Sequence, residues 1–294
     1  MSSPFDLDNC ADYARWRAVK LTGHPERSSD LVVNVADPCA LTAREHSDLL
    51  ALCTKCNMAI YRSSAQDADK NIPRKLAAQL GLRRLDANWL ADDDGISPIT
   101  VSQTQGERGA FIPYTNRAIK WHTDGYYQPV SRSIQAMVLH CVRPAIAGGA
   151  TSLMDPEMAY IAVRDANPDW IRTLCEPDAM TIPARLDDDG VARAEQSGPV
   201  FSVDPASGHL HMRYTARTRS IIWKDTTTMG DAVAFLSALM DHGSPYIFRL
   251  TLEAGMGLVS NNVLHDRSSF QDDPKQPRLL YRARYLDRIQ MGGA

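Results

Sequence analysis

The chain has 294 residues, of which 44% are hydrophobic and 23% are charged, so it is long enough to bury a sizeable core as an ordinary globular protein. Its formal net charge of −3 argues against a nucleic-acid-binding protein, because such proteins are usually basic. No apolar stretch is long enough to span a bilayer, and the N-terminus has no basic region followed by an apolar run. We therefore expect a cytoplasmic protein that has neither nucleic acid nor a membrane as a partner, with a homo-oligomer left open.

Helical and extended patterns alternate in the first third of the chain. The pattern predicts a helix over 42–57, with Thr42 as its N-cap and Glu45 completing a capping box. A short strand follows at 58–61, and a second helix is predicted over 72–81 with a glycine at its end.

Cys53 and Cys56 have the spacing of a zinc ribbon, but no second pair of cysteines or histidines lies at a matching distance. Both cysteines also continue the apolar pattern of the helix predicted over 42–57. The pattern therefore favours core packing over a zinc or redox role for this pair.

From about residue 98 the sequence changes to short strands. The segment 134–142 is apolar on both faces, which is typical of a buried strand. Further strands are predicted near 149–154, 179–184, 199–203, 209–215, 246–252, 257–263 and 279–286, with helices near 156–165, 168–175 and 229–242. We expect a mainly β protein with flanking helices (α+β), built on a jelly-roll-like double sheet. We expect one catalytic domain over 1–294, with residues 1–40 as an N-terminal extension and about 98–288 carrying the core.

Two histidines and one aspartate offer the ligand set of a mononuclear iron site. His122 and Asp124 are two residues apart, so in a strand both side chains point to one face. His265 follows far downstream, where a neighbouring strand of a double sheet would supply it. Two imidazoles and one carboxylate bind non-haem Fe(II) on one face and leave the other face open. The alternative is a surface turn in which Asp124 caps the residues before Gly125.

Three arginines follow at the C-terminal end of the chain. If their segment is a strand, Arg278, Arg282 and Arg284 share one face, and a guanidinium directed into an apolar barrel requires an anion. The alternative is a set of surface arginines.

Other polar residues near the His-Thr-Asp segment are candidates for a substrate site. Trp121, Tyr126, Tyr127 and Asn116 either line a pocket or pack in the core. The basic cluster Arg213, Arg217 and Arg219 either meets an anionic substrate, with Arg213 as the first candidate, or lies on a solvated strand edge. His209 and His211 favour a structural or surface pair over a second metal site, and His140, within an apolar strand, is predicted to be a core histidine.

The order of these motifs resembles the TauD/TfdA, or taurine dioxygenase, family of Fe(II)- and 2-oxoglutarate-dependent oxygenases. Trp-His-Thr-Asp, Gly-Gly-Ala-Thr-Ser-Leu, Val-Leu-His-Asp-Arg and Arg-x-x-x-Arg follow one another over roughly residues 40–288. The resemblance implies a double-stranded β-helix (a cupin-like jelly roll) with flanking helices. It also implies Fe(II), 2-oxoglutarate and O2 as cofactor and co-substrates.

The resemblance also implies a role for each matched residue. His122, Asp124 and His265 match the catalytic iron ligands. Thr151 and Arg278 match the residues that bind the distal carboxylate of 2-oxoglutarate, and Arg282 matches an arginine near the metal and the substrate anion.

The reaction implied is oxidation of a small, anionic organic substrate, coupled to conversion of 2-oxoglutarate to succinate and CO2. Relatives that halogenate lack the metal carboxylate, so Asp124 favours hydroxylation or a related oxidation such as desaturation. Two alternatives stay open at this stage: a cupin-like metalloprotein that uses His209 and His211 without 2-oxoglutarate, and a β-sandwich module that binds a small anion through its arginines.

Overall fold

The computed structural model describes residues 3–87, 92, 94–101, 111–187, 190–219, 221–241 and 243–290. The helices in these ranges are α1 (Cys10–Leu21), α2 (Ala43–Cys56), α3 (Asn71–Gln79), α4 (Pro156–Ala166), α5 (Pro168–Leu174) and α6 (Thr227–Asp241). The strands are β1 (Val32–Asn34), β2 (Met58–Arg62), β3 (Ser97–Ile99), β4 (Ile119–His122), β5 (Ala136–Arg143), β6 (Ala147–Gly148), β7 (Thr151–Met154), β8 (Met180–Ile182), β9 (Arg185–Asp187), β10 (Gly190–Arg193), β11 (Gln196–Gly198), β12 (Phe201–Val203), β13 (Leu210–Met212), β14 (Ile222–Trp223), β15 (Ile247–Leu250), β16 (Met256–Ser260), β17 (Leu264–Arg267), β18 (Phe270–Gln271) and β19 (Leu279–Tyr285).

The chain forms two compact units. The helical unit comprises the described residues within Met1–His24, Trp121–Ser133 and Met154–Ile247. The sheet unit comprises those within Pro25–Lys120, Ile134–Leu153 and Phe248–Ala294. The chain passes from the sheet unit to the helical unit within β4. A single catalytic domain over 1–294 stays a prediction.

The helical unit contains α1, α4, α5 and α6 with several short antiparallel strands. β8 lies between β11 and β14, β12 pairs with β13, and β9 pairs with β10 as a hairpin. Asp155 caps α4 by accepting from the backbone N–H of Glu157, and Lys20 of α1 forms buried ion pairs with both carboxylates. The N-terminal segment is therefore held by charge as well as by packing.

The sheet unit is built on a six-stranded sheet in the order β1-β2-β16-β5-β19-β3, with β15, β7, β17 and β4 forming a four-stranded sheet. One face of the larger sheet packs on α2 and α3, where Tyr61, Val138 and Ala283 join Leu49 and Leu76 in a single apolar cluster. Its other face packs against side chains of β7 and β15 through a second apolar cluster. Two sheets enclosing a core are what a jelly roll requires.

The capping prediction for the helix near residue 42 is confirmed. The Thr42 side chain accepts from the backbone N–H of Glu45, and the Glu45 carboxylate accepts from the backbone N–H of Thr42. Cys53 and Cys56 are buried in the apolar clusters, which agrees with the predicted core packing.

The sequence patterns missed several elements. No helix was predicted in the first forty residues, where α1 lies, and no strand was predicted at the β9–β10 hairpin. At β17 a neighbouring strand was expected only from the position of His265, because no apolar pattern marks one. β17 carries Leu264, His265, Asp266 and Arg267, so its charged residues hide the apolar alternation that marks a strand. Among the described residues, no helix is both long and apolar enough to cross a membrane.

His140 is a core histidine, as predicted. Its ring is fully buried, stacks parallel to Tyr61 and has Nδ1 2.8 Å from the Tyr61 hydroxyl. Burial lowers the pKa of His140 from 6.5 to about 4, because the charged imidazolium loses its hydration in the core.

This depressed pKa makes stability pH-dependent. Above pH 6.5 the ring is neutral in both states and contributes no pH dependence; between 6.5 and about 4 only the unfolded chain takes up the proton. As the pH is lowered from 6.5 to about 4, we expect the free energy of unfolding to decrease by up to about 1.4 kcal/mol per pH unit. Urea denaturation of the wild type, His140→Gln and His46→Gln at several pH values measures the slope. Equal slopes in the wild type and His140→Gln would contradict this assignment.

Candidate metal centre

The end of β4 holds His122 and Asp124 in fixed positions. His122 forms a β-bridge with Thr215, and the flanking backbone is pinned by hydrogen bonds from Ala216 N to the Trp121 carbonyl (2.8 Å) and from Thr123 N to the Tyr214 carbonyl (3.0 Å). The Thr123 hydroxyl also accepts from Tyr214 N at 3.1 Å.

Both side chains are buried, and Nε2 of His122 lies 3.9 Å from Oδ1 of Asp124. That distance is too long for a direct hydrogen bond.

His265 lies on β17, next to β4 in the four-stranded sheet. Its Nδ1 lies 2.9 Å from the Val263 carbonyl, which accepts a hydrogen bond only if Nδ1 carries the proton. Nε2 therefore keeps its lone pair. A backbone carbonyl that fixes the tautomer in this way is typical of metal-binding histidines.

One ligand atom from each of His122, Asp124 and His265 lies within 4.8 Å of the other two, and all three residues are buried. Two nitrogen donors and one carboxylate oxygen form the set that suits ferrous iron with open coordination positions. Within the described part of the chain, no cluster of three or more potential metal ligands contains His209 or His211.

The two glycines after β5 form a narrow turn beside the predicted co-substrate residues. Gly148 pairs with Phe270 of β18 and has φ +76°, and a Cβ there would lie 2.3 Å from the Ser269 carbonyl oxygen. Gly149 has φ +72° and donates its N–H to the same carbonyl at 3.1 Å. Only glycine combines this backbone conformation with so close an approach.

A small cavity lies directly beside this turn. Its lining residues are Pro144, Ala145, Gly148, Gly149, Thr151, Thr251, Leu252 and Arg278. The structure thus brings together Thr151 and Arg278, which are 127 positions apart in the sequence (278 − 151).

Arg278 is 6% exposed, and no carboxylate of the described residues lies within salt-bridge distance of its guanidinium. Burial lowers its pKa from the ordinary value, which means that the charge is poorly solvated.

The other two arginines of the predicted row differ in their surroundings. Arg284 forms a buried ion pair with Asp86 at 2.7 Å, so its charge is already balanced within the fold. Arg282 is partly buried on β19, opposite Leu139 of β5 and Ser97 of β3. The predicted cofactor role of Arg282 stays a prediction.

The predicted substrate residues also lie in different surroundings. Tyr126 contacts His122 edge-to-face, with ring centroids 6.3 Å apart, whereas Asn116 is exposed. Arg213 is buried, and its guanidinium donates to four backbone carbonyls, those of Tyr126, Met180, Gln196 and Gly198. These contacts favour a structural role for Arg213 over the predicted contact with a substrate.

Asp266, Arg267 and Phe270 also surround the site, although no role was predicted for them from the sequence. The Asp266 carboxylate accepts from Ser152 N at 2.8 Å and so links β17 to β7. Arg267 donates to backbone carbonyls of the 113–117 loop, and the guanidinium carbons of Arg267 and Arg278 lie 4.8 and 5.0 Å from the ring centre of Phe270. Asp266 and Arg267 belong to the Val-Leu-His-Asp-Arg motif, which is the sequence signal that pointed to them.

Comparison with known proteins identifies the family. The model of the family described as taurine catabolism dioxygenase TauD, TfdA family matches residues 21–284. The chain belongs to the TauD, TfdA family. The match begins about 19 residues before the predicted limit near residue 40 (40 − 21), so it includes part of the N-terminal extension.

Two curated relatives carry the same name. The chain is 29% identical over 265 residues to a uridine-5'-phosphate dioxygenase from Streptomyces sp, covering 83% of this chain and 93% of that protein. It is 32% identical over 177 residues to a uridine-5'-phosphate dioxygenase from Amycolatopsis sp, covering 57% and 60%.

A solved structure of asparagine oxygenase with Fe(II), 2S,3S-3-hydroxyasparagine and succinate has a TM-score of 0.61 to this chain, at 13% identity and 87% coverage of both chains.

The predicted fold class is confirmed: the TauD-type core is a double-stranded β-helix with flanking helices. As a TauD, TfdA family member, the protein is an oxidoreductase, a non-haem Fe(II)- and 2-oxoglutarate-dependent dioxygenase that consumes O2. The cupin-like and anion-binding alternatives are therefore wrong.

The glycine turn gives a testable prediction. Gly148→Val places a Cβ against the Ser269 carbonyl and strains the backbone, at a cost of about 1–3 kcal/mol. We expect the turn to shift, weakening 2-oxoglutarate binding roughly tenfold or more while Fe(II) binding is kept. Gly208→Val is the matched control, because Gly208 has φ +73° but no atom within 4 Å of a Cβ. Anaerobic titration with 2-oxoglutarate measures the effect, and wild-type affinity in Gly148→Val would refute it.

Proposed function

We propose that His122, Asp124 and His265 bind the catalytic iron, that Arg278 and Thr151 bind 2-oxoglutarate, and that the enzyme oxidises a small phosphate monoester. The observation that carries this proposal is the approach of three buried metal-ligand atoms to within 4.8 Å of one another.

The donor set fits iron on chemical grounds. The orientation of His265 is fixed by the Val263 carbonyl, and the backbone pairing around Thr215 fixes His122. Ligands held in place before the metal binds lose little conformational freedom when it does. Three protein ligands leave positions open for other groups, as an oxygenase requires.

The surroundings of Arg278 fit a dicarboxylate. Among the described residues no carboxylate forms a salt bridge with this buried guanidinium, although Asp272 accepts a hydrogen bond from the Arg278 backbone N–H. A bidentate carboxylate from a ligand offsets the cost of burying such a charge. Thr151 lines the same cavity, and a threonine hydroxyl can donate one further hydrogen bond to a carboxylate. We assign the distal carboxylate of 2-oxoglutarate to this pair.

When bound, iron and 2-oxoglutarate supply the oxidising chemistry, with 2-oxoglutarate converted to succinate and CO2. The protein side chains bind and orient these partners and limit the access of water, because the residues proposed as iron ligands are buried. Asp124 occupies the carboxylate position that halogenating relatives lack, which supports hydroxylation or a related oxidation.

The substrate class is inferred from the two relatives. Both are named for uridine 5'-phosphate, and the Streptomyces protein matches over 93% of its own length. Uridine 5'-phosphate is therefore the first candidate, and any small phosphate monoester is the broader class. This agrees with the prediction of a small, anionic substrate.

An anaerobic titration tests the proposed iron ligands. Adding Fe(II) and then 2-oxoglutarate should give the weak visible absorption of a keto acid chelated to ferrous iron. We expect His122→Ala and His265→Ala to lose this absorption, because removing one of three ligands weakens the site by far more than tenfold. His211→Ala is the control and should keep the absorption. Retention of the band in His265→Ala would refute the ligand set.

A second substitution tests the co-substrate anchor. Arg278→Ala should raise the dissociation constant of 2-oxoglutarate by about 100-fold, equivalent to about 3 kcal/mol, because a buried carboxylate loses its charged partner. Arg278→Lys should fall between this variant and the wild type, since an ammonium keeps the charge but loses the planar fork. The same titration gives both constants. An unchanged constant in Arg278→Ala would move the anchor to Arg282, since Arg284 already pairs with Asp86.

A further inference from the structure

Tyr126 connects a proposed iron ligand to a cluster of positive charge. Its ring contacts His122 edge-to-face, and its hydroxyl accepts a hydrogen bond from Nη1 of Arg217 at 3.1 Å. Nε of Arg213 donates to the Tyr126 carbonyl at 2.7 Å and fixes the backbone at this position. Tyr126 therefore contacts both a proposed iron ligand and the guanidinium group of Arg217.

A second arginine, Arg193 on β10, lies opposite Arg185 of β9 in the β9–β10 hairpin. Burial lowers the pKa of the half-buried Arg193 guanidinium, and the nearby positive charges of Arg185 and Arg217 lower it further. Like charges gathered near one another repel, and the cost falls when an anion binds between them. The charge of this cluster therefore favours an anionic ligand.

The donors of Arg193 and Arg217 are only partly used. Arg193 donates to the Pro183 carbonyl at 2.6 Å and to the Ala194 carbonyl at 3.4 Å, and Arg217 donates to Tyr126. In the part of the chain that the structure describes, neither guanidinium has a carboxylate within salt-bridge distance. Each guanidinium has five N–H donors, so both can still contact a ligand.

Arg213 shows the opposite arrangement. Its guanidinium donates to four backbone carbonyls, as described above, so few of its donors remain. Arg193 and Arg217 thus retain donors for an anion, while Arg213 positions Tyr126.

We propose that Arg217, Arg193 and the Tyr126 hydroxyl bind the phosphate group of a phosphate monoester substrate. This inference rests on the proposed function, since it assigns the anionic end of the proposed substrate. A phosphate carries nearly two negative charges and three terminal oxygens, which match two guanidinium groups and a hydroxyl. A carboxylate would be satisfied by a single guanidinium fork.

Binding measurements on the Fe(II)- and 2-oxoglutarate-loaded protein without oxygen test the site. The probes are uridine 5'-phosphate, ribose 5-phosphate and uridine, titrated calorimetrically into the wild type, Arg217→Gln, Arg193→Gln, Arg282→Gln and Arg219→Gln. Arg219→Gln is the matched control, because Arg219 is an exposed arginine two residues from Arg217 and its substitution changes the net charge by the same amount. Arg217 is itself exposed, so Arg217→Gln keeps the fold even if Arg193→Gln does not.

We expect uridine 5'-phosphate to bind the wild type more tightly than uridine. Arg217→Gln and Arg193→Gln should each weaken the binding of uridine 5'-phosphate by about 10- to 100-fold, because a charge-assisted hydrogen bond is lost. Neither substitution should change the affinity for uridine. Arg219→Gln should change the affinity for either ligand by no more than about twofold. Binding of ribose 5-phosphate with the same dependence on Arg217, but no preference for uridine 5'-phosphate, supports the phosphate site and contradicts only the choice of uridine.

Three results would overturn the inference. An equal loss in Arg219→Gln and Arg217→Gln would show general electrostatic attraction, and a loss confined to Arg282→Gln would place the phosphate at that residue. If no phosphate monoester binds while the 2-oxoglutarate chromophore forms, the phosphate site and the proposed substrate class fail and the reaction class stands.

Discussion

The backbone pairing between the end of β4 and residues 214–216 is the constraint on which the proposed site depends. Hydrogen bonds on both sides of His122 hold Trp121 and Thr123 against this segment, so the direction of the His122 side chain is fixed by the sheet rather than by its own rotamer alone. Asp124 lies in the turn that directly follows β4, so the hydrogen bonds of Thr123 also fix where this turn begins. The same pairing places Arg213 and Arg217 two residues to either side of Thr215, so one short ladder orders both the proposed metal ligands and the arginines around Tyr126.

Much of this organisation was predictable from the sequence, because the signals are local. The Thr42 capping box, the apolar strand around His140 and the close spacing of His122 and Asp124 each depend on a few neighbouring residues. The resemblance to the TauD, TfdA family added the order of motifs, and with it the fold. The apolar pattern did not reveal β17, because its own residues are charged and gain their burial from partners that are distant in the chain.

The roles of the arginines were not predictable in the same way. Arg213, Arg217 and Arg284 look alike in the sequence, but they differ in what surrounds the guanidinium: four backbone carbonyls, a tyrosine hydroxyl, or a buried carboxylate. The number of donors already used decides whether an arginine holds the fold together or remains able to bind a ligand. That number depends on residues far away in the chain, such as Asp86 for Arg284.

Two guanidinium groups lie close to the ring of Phe270, that of Arg267 at 4.8 Å and that of Arg278 at 5.0 Å from its centre. Their proximity links the stability of the fold to the binding of an anion. Burial lowers the pKa of Arg267 to about 9, and the neighbouring positive charge of Arg278 lowers it further. The two guanidinium groups therefore repel each other in the folded protein. An anion that pairs with Arg278 relieves this repulsion in the native state only. By mass action, the folded population then rises with the concentration of that anion. With 2-oxoglutarate as the anion proposed for Arg278, the co-substrate would therefore also act as a stabilising ligand of the folded enzyme.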